Sequence, residues 1–306
     1  MKRWIAIALF VGLLFGGVVL ALVTSKPAAA ADDPVVQADR AVVQALQKGD
    51  RVAAEKLLDK DFSWIDSKGV MWAKDDAFQA GLKPLIPDAG AAKITEHKYG
   101  KVVWIQENVG NNYVAHFWVE RPAGWRLLHT NEITIDPSLA VHEVRPNFSV
   151  PCVNPCQQIP YMPLTANEKA ALDGWLDQES GTGHHDAHLG EDLRAVHSEN
   201  GVQPPKSERV ANTAKAMADP AIRNRPPVGV APVLWMRQWD FGDAVVSIML
   251  QPTYGGKAYW SSRVFGNHNG FWMMEESYHN TIQASPLMTA LPTGAKAAPG
   301  GSVPQE

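Results

Sequence analysis

The 306-residue chain is long enough for two domains of ordinary size, and its 45% apolar and 20% charged residues exclude a disordered polymer. A net charge of −4 without any basic run excludes nucleic acid as a partner. Eleven Trp are enough to build cores or to line an aromatic pocket.

Met1-Lys2-Arg3, the uncharged run from Ile5 to Val23 and the small residues of TSKPAAAADD read as a signal peptide over residues 1–31, cut near Ala30 or Ala31. The apolar run also approaches the length of a membrane-crossing helix, so an uncleaved N-terminal anchor is the alternative. Either way the domains are expected outside the cytoplasm, periplasmic or secreted, and meet a membrane only through this segment if it is kept. Its loss would remove Lys2, Arg3 and Lys26 and leave a still more acidic protein.

In VVQADRAVVQALQKGD, Val35, Val42 and Leu46 recur at helical spacing, and Gly49-Asp50 ends that helix and starts another over RVAAEKLLDKD. FSWIDSKG alternates like a short strand ending in a turn, and DDAFQAGLKPLI reads as a third short helix. Three strand-like runs follow: ITEHKYGKVVWIQENV, NNYVAHFWVERP and GWRLLHTNEITI. Helices followed by an antiparallel meander make an α+β unit.

The unit is written twice. At an offset of 132, Gly49 falls on Gly181, Leu57 on Leu189, Gly69-Val70 on Gly201-Val202, Gly110 on Gly242 and Val114 on Val246. About 15 extra residues around QPTYGGKAYW then change the offset to 147, which sets Trp125 on Trp272 and Ile135 on Ile282. A tandem duplication follows: a first domain over 32–137, a Pro-rich linker over 138–164, a second, divergent domain over 165–284 and a disordered tail over 285–306. Within the linker, Cys152 and Cys156 flank a Val-Asn-Pro turn and are expected as a local disulfide in an oxidising compartment.

The helix with its Gly-Asp break, DFSWIDSKG, and the meander ending in W-x-L-x-H resemble the nuclear transport factor 2-like superfamily, closest to its SnoaL-like and ketosteroid-isomerase-like branch. The resemblance implies two cone-shaped domains, each with helices packed on a curved antiparallel sheet around an apolar cavity. Members include isomerases, cyclases and dehydratases as well as non-catalytic binding and assembly domains, so fold does not decide function.

Strand alternation supplies the candidate site. In the last strand of the first domain Trp125, Leu127, His129, Asn131, Ile133 and Ile135 share a face expected to point into the cone. Either His129 is an acid–base group there, with Asn131 orienting a ligand and Asp66 nearby, or His129 and Asn131 satisfy each other or the backbone and Asp66 only holds the turn at Ser67-Lys68-Gly69. Trp64 precedes Asp66 on the first strand. Tyr113, Ala115, Phe117 and Val119 form one face of the preceding strand. Val114, His116, Trp118 and Glu120 form the other, which is too apolar for full exposure and is expected against the other copy or another chain. In the second domain Trp272, Met274, Glu276, Tyr278 and Asn280 are the matching face, Glu276 and Tyr278 being the candidates for base and oxyanion donor; a register slip of one residue would instead point Glu276 to solvent. The ligand-binding set is therefore Trp64, Tyr113, Phe117, Trp125, His129, Asn131, Trp272, Glu276 and Tyr278.

His184 and His188 in GTGHHDAHLGED have the four-residue spacing of a helical metal pair, but without a third ligand fixed by sequence they are expected on a solvated face, and neither metal nor cofactor is expected. No complete catalytic set is visible. The expected function is that of an exported protein that binds a small apolar or amphipathic ligand or mediates assembly, with a homodimer as one option. The alternative is a cofactor-free isomerase, cyclase or lyase in one of the two cavities.

Overall fold

The computed structural model describes residues 33–139, 163–179, 187–223, 233–251 and 257–285. The N-terminal segment, Cys152 and Cys156, His184 and the tail lie outside them.

In the first domain α1 (Pro34–Lys48) buries Val35, Val36, Val42, Val43 and Leu46 on one stripe, together with Asp39. Gly49 takes a left-handed φ of 71° to end it. Asp50 caps the short α2 (Arg51–Glu55), accepting a bond from Ala53 N at 3.0 Å. The helix expected over RVAAEKLLDKD is shorter than its polarity suggests, because LDKD already belongs to β1 (Leu58–Ile65). Then come β2 (Met71–Ala73), α3 (Lys74–Gln79), β3 (Lys93–Tyr99), β4 (Val102–Val109), β5 (Asn112–Arg121) and β6 (Gly124–Thr134). The run expected as one strand from Ile94 is two, folded back at Gly100 with φ 58°.

The second domain repeats the order with α4 (Ala166–Glu179), β7 (Leu189–His197), β8 (Gly201–Val202), α5 (Lys206–Met217), α6 (Pro220–Arg223), β9 (Trp235–Asp240), β10 (Ala244–Gln251), β11 (Tyr259–His268) and β12 (Phe271–Thr281). The sheets run β2-β1-β6-β5-β4-β3 and β8-β7-β12-β11-β10-β9, the same order twice. The fold is α+β with two cone-shaped, helix-covered sheets. Each sheet is mixed rather than purely antiparallel, since β1 runs parallel to β6 and β7 to β12.

Register confirms the duplication and corrects its alignment. Phe117 pairs with His129 and Val264 with Glu276, each 147 positions on. Both ladders then slip by one residue, at Leu128 and at Glu275, also 147 apart. Trp104 pairs with Phe117 and Val246 with Val264, so β4 matches β10 at 142 and Gly100, not Gly110, matches Gly242. Ile65 and Val196 pair with Asn131 and Tyr278, which sets β1 on β7 at 131. The extra residues of the second copy are thus divided between the helical crossover before β9 and the β10–β11 hairpin.

The shared bulge decides which way side chains point. Before it, Trp125 and Leu127 pack with α1 and Trp118 on the helix-covered face. After it, His129, Asn131 and Ile133 point to the opposite face, where the two sheets pack on each other. Val102, Trp104, Ala115, Phe117, Val119, Leu128 and Ile133 meet Val196, Phe241, Ala244, Val246, Val264 and Tyr278 in one buried cluster. The face containing Tyr113 and Phe117 therefore lies in this seam, and Val114, His116 and Trp118 line the first cone, the reverse of the expected assignment.

At the edge of the seam the β1–β2 turn meets β12. Gly69 has φ 76°, and a Cβ there would lie 2.8 Å from Ile282 Cα and closer still to the Thr281 carbonyl oxygen. Gly110 has φ 59° with open space around it. Gly110→Ala should cost about 1 kcal/mol of backbone strain, and Gly69→Ala about 3 kcal/mol because backbone must also move. Urea unfolding of both variants measures the difference, and equal costs would rule out the tight docking of this turn.

Candidate functional site

His129 is fully buried in the seam and bonded on both ring nitrogens. Nδ1 lies 2.8 Å from Ser63 Oγ and 3.2 Å from the Ser63 carbonyl oxygen, and Nε2 lies 2.8 Å from Ser262 Oγ of the other domain. The Asn131 amide donates to the same Ser262 Oγ at 2.9 Å. One proton arrangement serves the chain of bonds: Asn131 donates to Ser262, Ser262 donates to Nε2, and Nδ1–H donates to Ser63. Burial holds the His129 pKa down at about 3, so the ring is neutral. Asn280 completes the network, donating to Glu132 O at 2.6 Å, Asp66 O at 2.9 Å and Asn131 Oδ1 at 3.2 Å. This arrangement ties the two domains together and occupies both ring nitrogens of His129. His129→Ala should destabilise the fold by about 2–4 kcal/mol, because it leaves a cavity and unpaired hydroxyls. A loss below about 1 kcal/mol in chemical unfolding would return His129 to the list of cavity residues.

Glu276 and Tyr278 also cross the seam. Glu276 Oε1 accepts from His97 Nδ1 and from Tyr99 O–H, both at 2.6 Å, and Tyr278 donates to Gln106 Oε1 at 2.7 Å. Burial lifts Glu276 to about 7 against the pull of those two donors, and the bond to Glu276 in turn raises His97. Both groups bind protons more tightly folded than unfolded. Glu276 contributes fully below its unfolded value near 4.5, and His97 below 6.5. Both contributions are lost as pH rises through about 7 and past the raised His97 value. Between pH 5 and pH 8 the Tm of Glu276→Gln should fall less steeply than that of the parent protein; identical slopes would remove this cluster from the pH response.

The helix-covered faces hold the remaining ionisable groups. In the first cone Asp39 on α1 accepts from Trp118 Nε1 at 2.6 Å and lies 2.7 Å from His116 Nδ1. Glu107 stands beside them, fully buried, and neither of its carboxylate oxygens meets a donor among the described residues. Burial lifts its pKa to about 7, and the Asp39 carboxylate beside it pushes the same way. Burial opposes the His116 imidazolium, but Asp39 outweighs it and holds His116 at about 9. Glu132 accepts from Leu85 N at 2.8 Å with the Trp64 indole beside it, and burial raises it to about 8.

The second cone has the same grid of positions and the opposite chemistry. Arg263 takes the place of His116, His279 that of Glu132 and Met249 that of Glu107. Arg263 lies under the Trp175 ring and donates to Met249 Sδ at 3.0 Å, Gln251 Oε1 at 3.1 Å and His279 Nε2 at 3.2 Å. His279 stacks on His197 at 4.0 Å, and burial depresses both, His197 to about 3.

The expected site residues are thus dispersed. Trp64 and Trp125 border the first cone and Trp272 the second. Tyr113, Phe117, His129, Asn131, Glu276 and Tyr278 lie in the seam. Asp66 holds its own turn, accepting from Lys68 N, Val70 N and Trp72 Nε1. His188 stacks on Phe271 and donates from Nδ1 to Trp272 O at 2.8 Å. Asp39, Glu107, His116 and Glu132 were missed, although Asp39 stands out in the sequence as a carboxylate on the apolar stripe between Val35 and Val42.

No family model matches the chain, and no curated protein does. Solved structures of NTF2-like and cystatin-like proteins resemble it, each over about a third of its length. An NTF2-like protein from Cytophaga hutchinsonii is 15% identical and covers 33% of this chain and 95% of its own, with a TM-score of 0.25. An NTF2-like protein of unknown function in nutrient uptake from Rhodospirillum rubrum is 19% identical over 34% of this chain and 100% of its own, with a TM-score of 0.26. An NTF2-like protein with a cystatin-like fold from Novosphingobium aromaticivorans is 12% identical over 33% and 80%, with a TM-score of 0.26.

Proposed function

We propose that this chain is an exported, non-catalytic binding protein whose first cone holds the polar head of a small amphipathic ligand against Glu107. The observation that carries the reading is the enclosed Glu107 carboxyl with neither oxygen meeting a donor among the described residues, beside Asp39 and His116 and against an apolar core. A buried acceptor without a donor is costly, and a ligand hydroxyl, amine or amide N–H would remove that cost. Half-buried Trp72, Phe78, Leu82, Ile94 and Trp125 pack at the margin of the same core and suit the ligand's apolar body. Export rests on the basic start and apolar run of residues 1–31. The seam already occupies one sheet face of each domain, so assembly through that face is internal to the chain.

Native mass spectrometry of the full chain from the envelope fraction of its producing cell tests this. A stoichiometric organic mass is expected, and Glu107→Gln should shed it with at least a ~10-fold loss of affinity, about 1.4 kcal/mol, while Glu276→Gln keeps it. A bare chain, or equal retention by both variants, would overturn the reading.

A further inference from the structure

We propose that Asp39, Glu107 and His116 form a binding site for a divalent transition-metal ion at the floor of the first cone. This deepens the reading of that cone as the binding compartment and rests on it: the ion would be the group on which the ligand head is anchored.

Three observations converge. One donor atom from each side chain lies within 4.8 Å of the others, and all three residues are enclosed. Both Glu107 oxygens and His116 Nδ1 lack a hydrogen-bond partner among the described residues, Nδ1 even though Asp39 Oδ1 is 2.7 Å away, because that approach does not have the alignment of a hydrogen bond. Donor atoms placed close together and left unaligned with one another are what a shared cation would use. Finally, the cluster is not a demand of the fold. The same grid packs in the second cone with Met249 and Arg263 at the positions of Glu107 and His116.

The donor set chooses the ion. An imidazole with two carboxylates suits Zn(II), Mn(II) or Fe(II), whereas Ca(II) and Mg(II) favour all-oxygen shells. Donors bound to zinc at about 2.0–2.2 Å stand about 3.3 Å apart, so side-chain movements of about 1 Å would close the site. The Trp118 N–H on Asp39 Oδ1, at 2.6 Å, would hold that carboxylate in orientation. Three protein ligands leave coordination positions for an oxygen or nitrogen of the organic ligand.

The test uses the full chain, stripped with chelator and then dialysed against micromolar Zn(II) or Mn(II), with bound metal counted by plasma mass spectrometry. One ion per chain is expected, with none retained from Mg(II) or Ca(II). Glu107→Gln and His116→Ala should each weaken affinity at least ~10-fold, and Glu276→Gln should leave it unchanged. No retained ion, or equal retention by Glu107→Gln, would overturn the site. Should those variants fail to fold, Co(II) loaded into the unmodified chain gives the answer: visible absorption bands of an enclosed site with nitrogen and oxygen donors support it, and the spectrum of the aqueous ion overturns it. The two readings fail separately. Organic mass without metal uptake defeats only the metal site, and metal uptake without organic mass defeats only the ligand.

Discussion

Everything in this molecule depends on two sheets buried against each other through a mixed apolar and polar seam. Neither sheet can stand alone with Trp104, Phe117, Val246 and Tyr278 in water, since burying large apolar side chains is the main favourable contribution to folding. The seam is apolar at its centre and specific at its polar row. His129, Ser262, Asn131 and Asn280 hydrogen-bond to one another across the domain boundary, and such a buried network favours one register. The helices then cover the opposite faces, and that covering creates the two cones.

A single extra residue in β6, Leu128, and its counterpart in β12, Glu275, divide each strand between the two compartments. The N-terminal part of β6 serves the cone and the C-terminal part serves the seam with the same nominal parity. Strict alternation therefore reads Trp125 correctly and His129 wrongly, and in β12 it reads Trp272 correctly and Glu276 wrongly. The bulge has no sequence signature of its own: Leu128 and Glu275 share neither size nor charge, and neither is Gly. It becomes visible only in the cross-strand pairing.

Much else was legible in the residues. The apolar stripe of α1, the Gly49 break, the order of helices before strands and the repeat of GWRLLHTNEITI in FWMMEESYHNTI gave the α+β duplication, because each rests on local spacing. Offsets inside the repeat were less legible, since an 11-residue and a 5-residue difference in separate loops look like one insertion when the intervening strands share few residues. The candidate site was mostly out of reach. Asp39, Glu107, His116 and Glu132 come from three different strands and a helix, and only the sheet register, which places Glu107 against Val114 and His116 against Ile105, draws them together.

Covalent fusion gives the seam a freedom that two separate copies would lack. In an isologous dimer a two-fold axis obliges every contact to occur twice with the same partners, so an interface must be complementary to itself. Here His129 faces Ser262, while the residue equivalent to Ser262 is Ala115 and the one equivalent to His129 is Glu276, which instead meets His97 and Tyr99. Neither half of the seam has to mirror the other. The same broken symmetry lets one cone gather carboxylates and the other a guanidinium and imidazoles, giving one short chain two chemically opposite interiors on a single inherited scaffold.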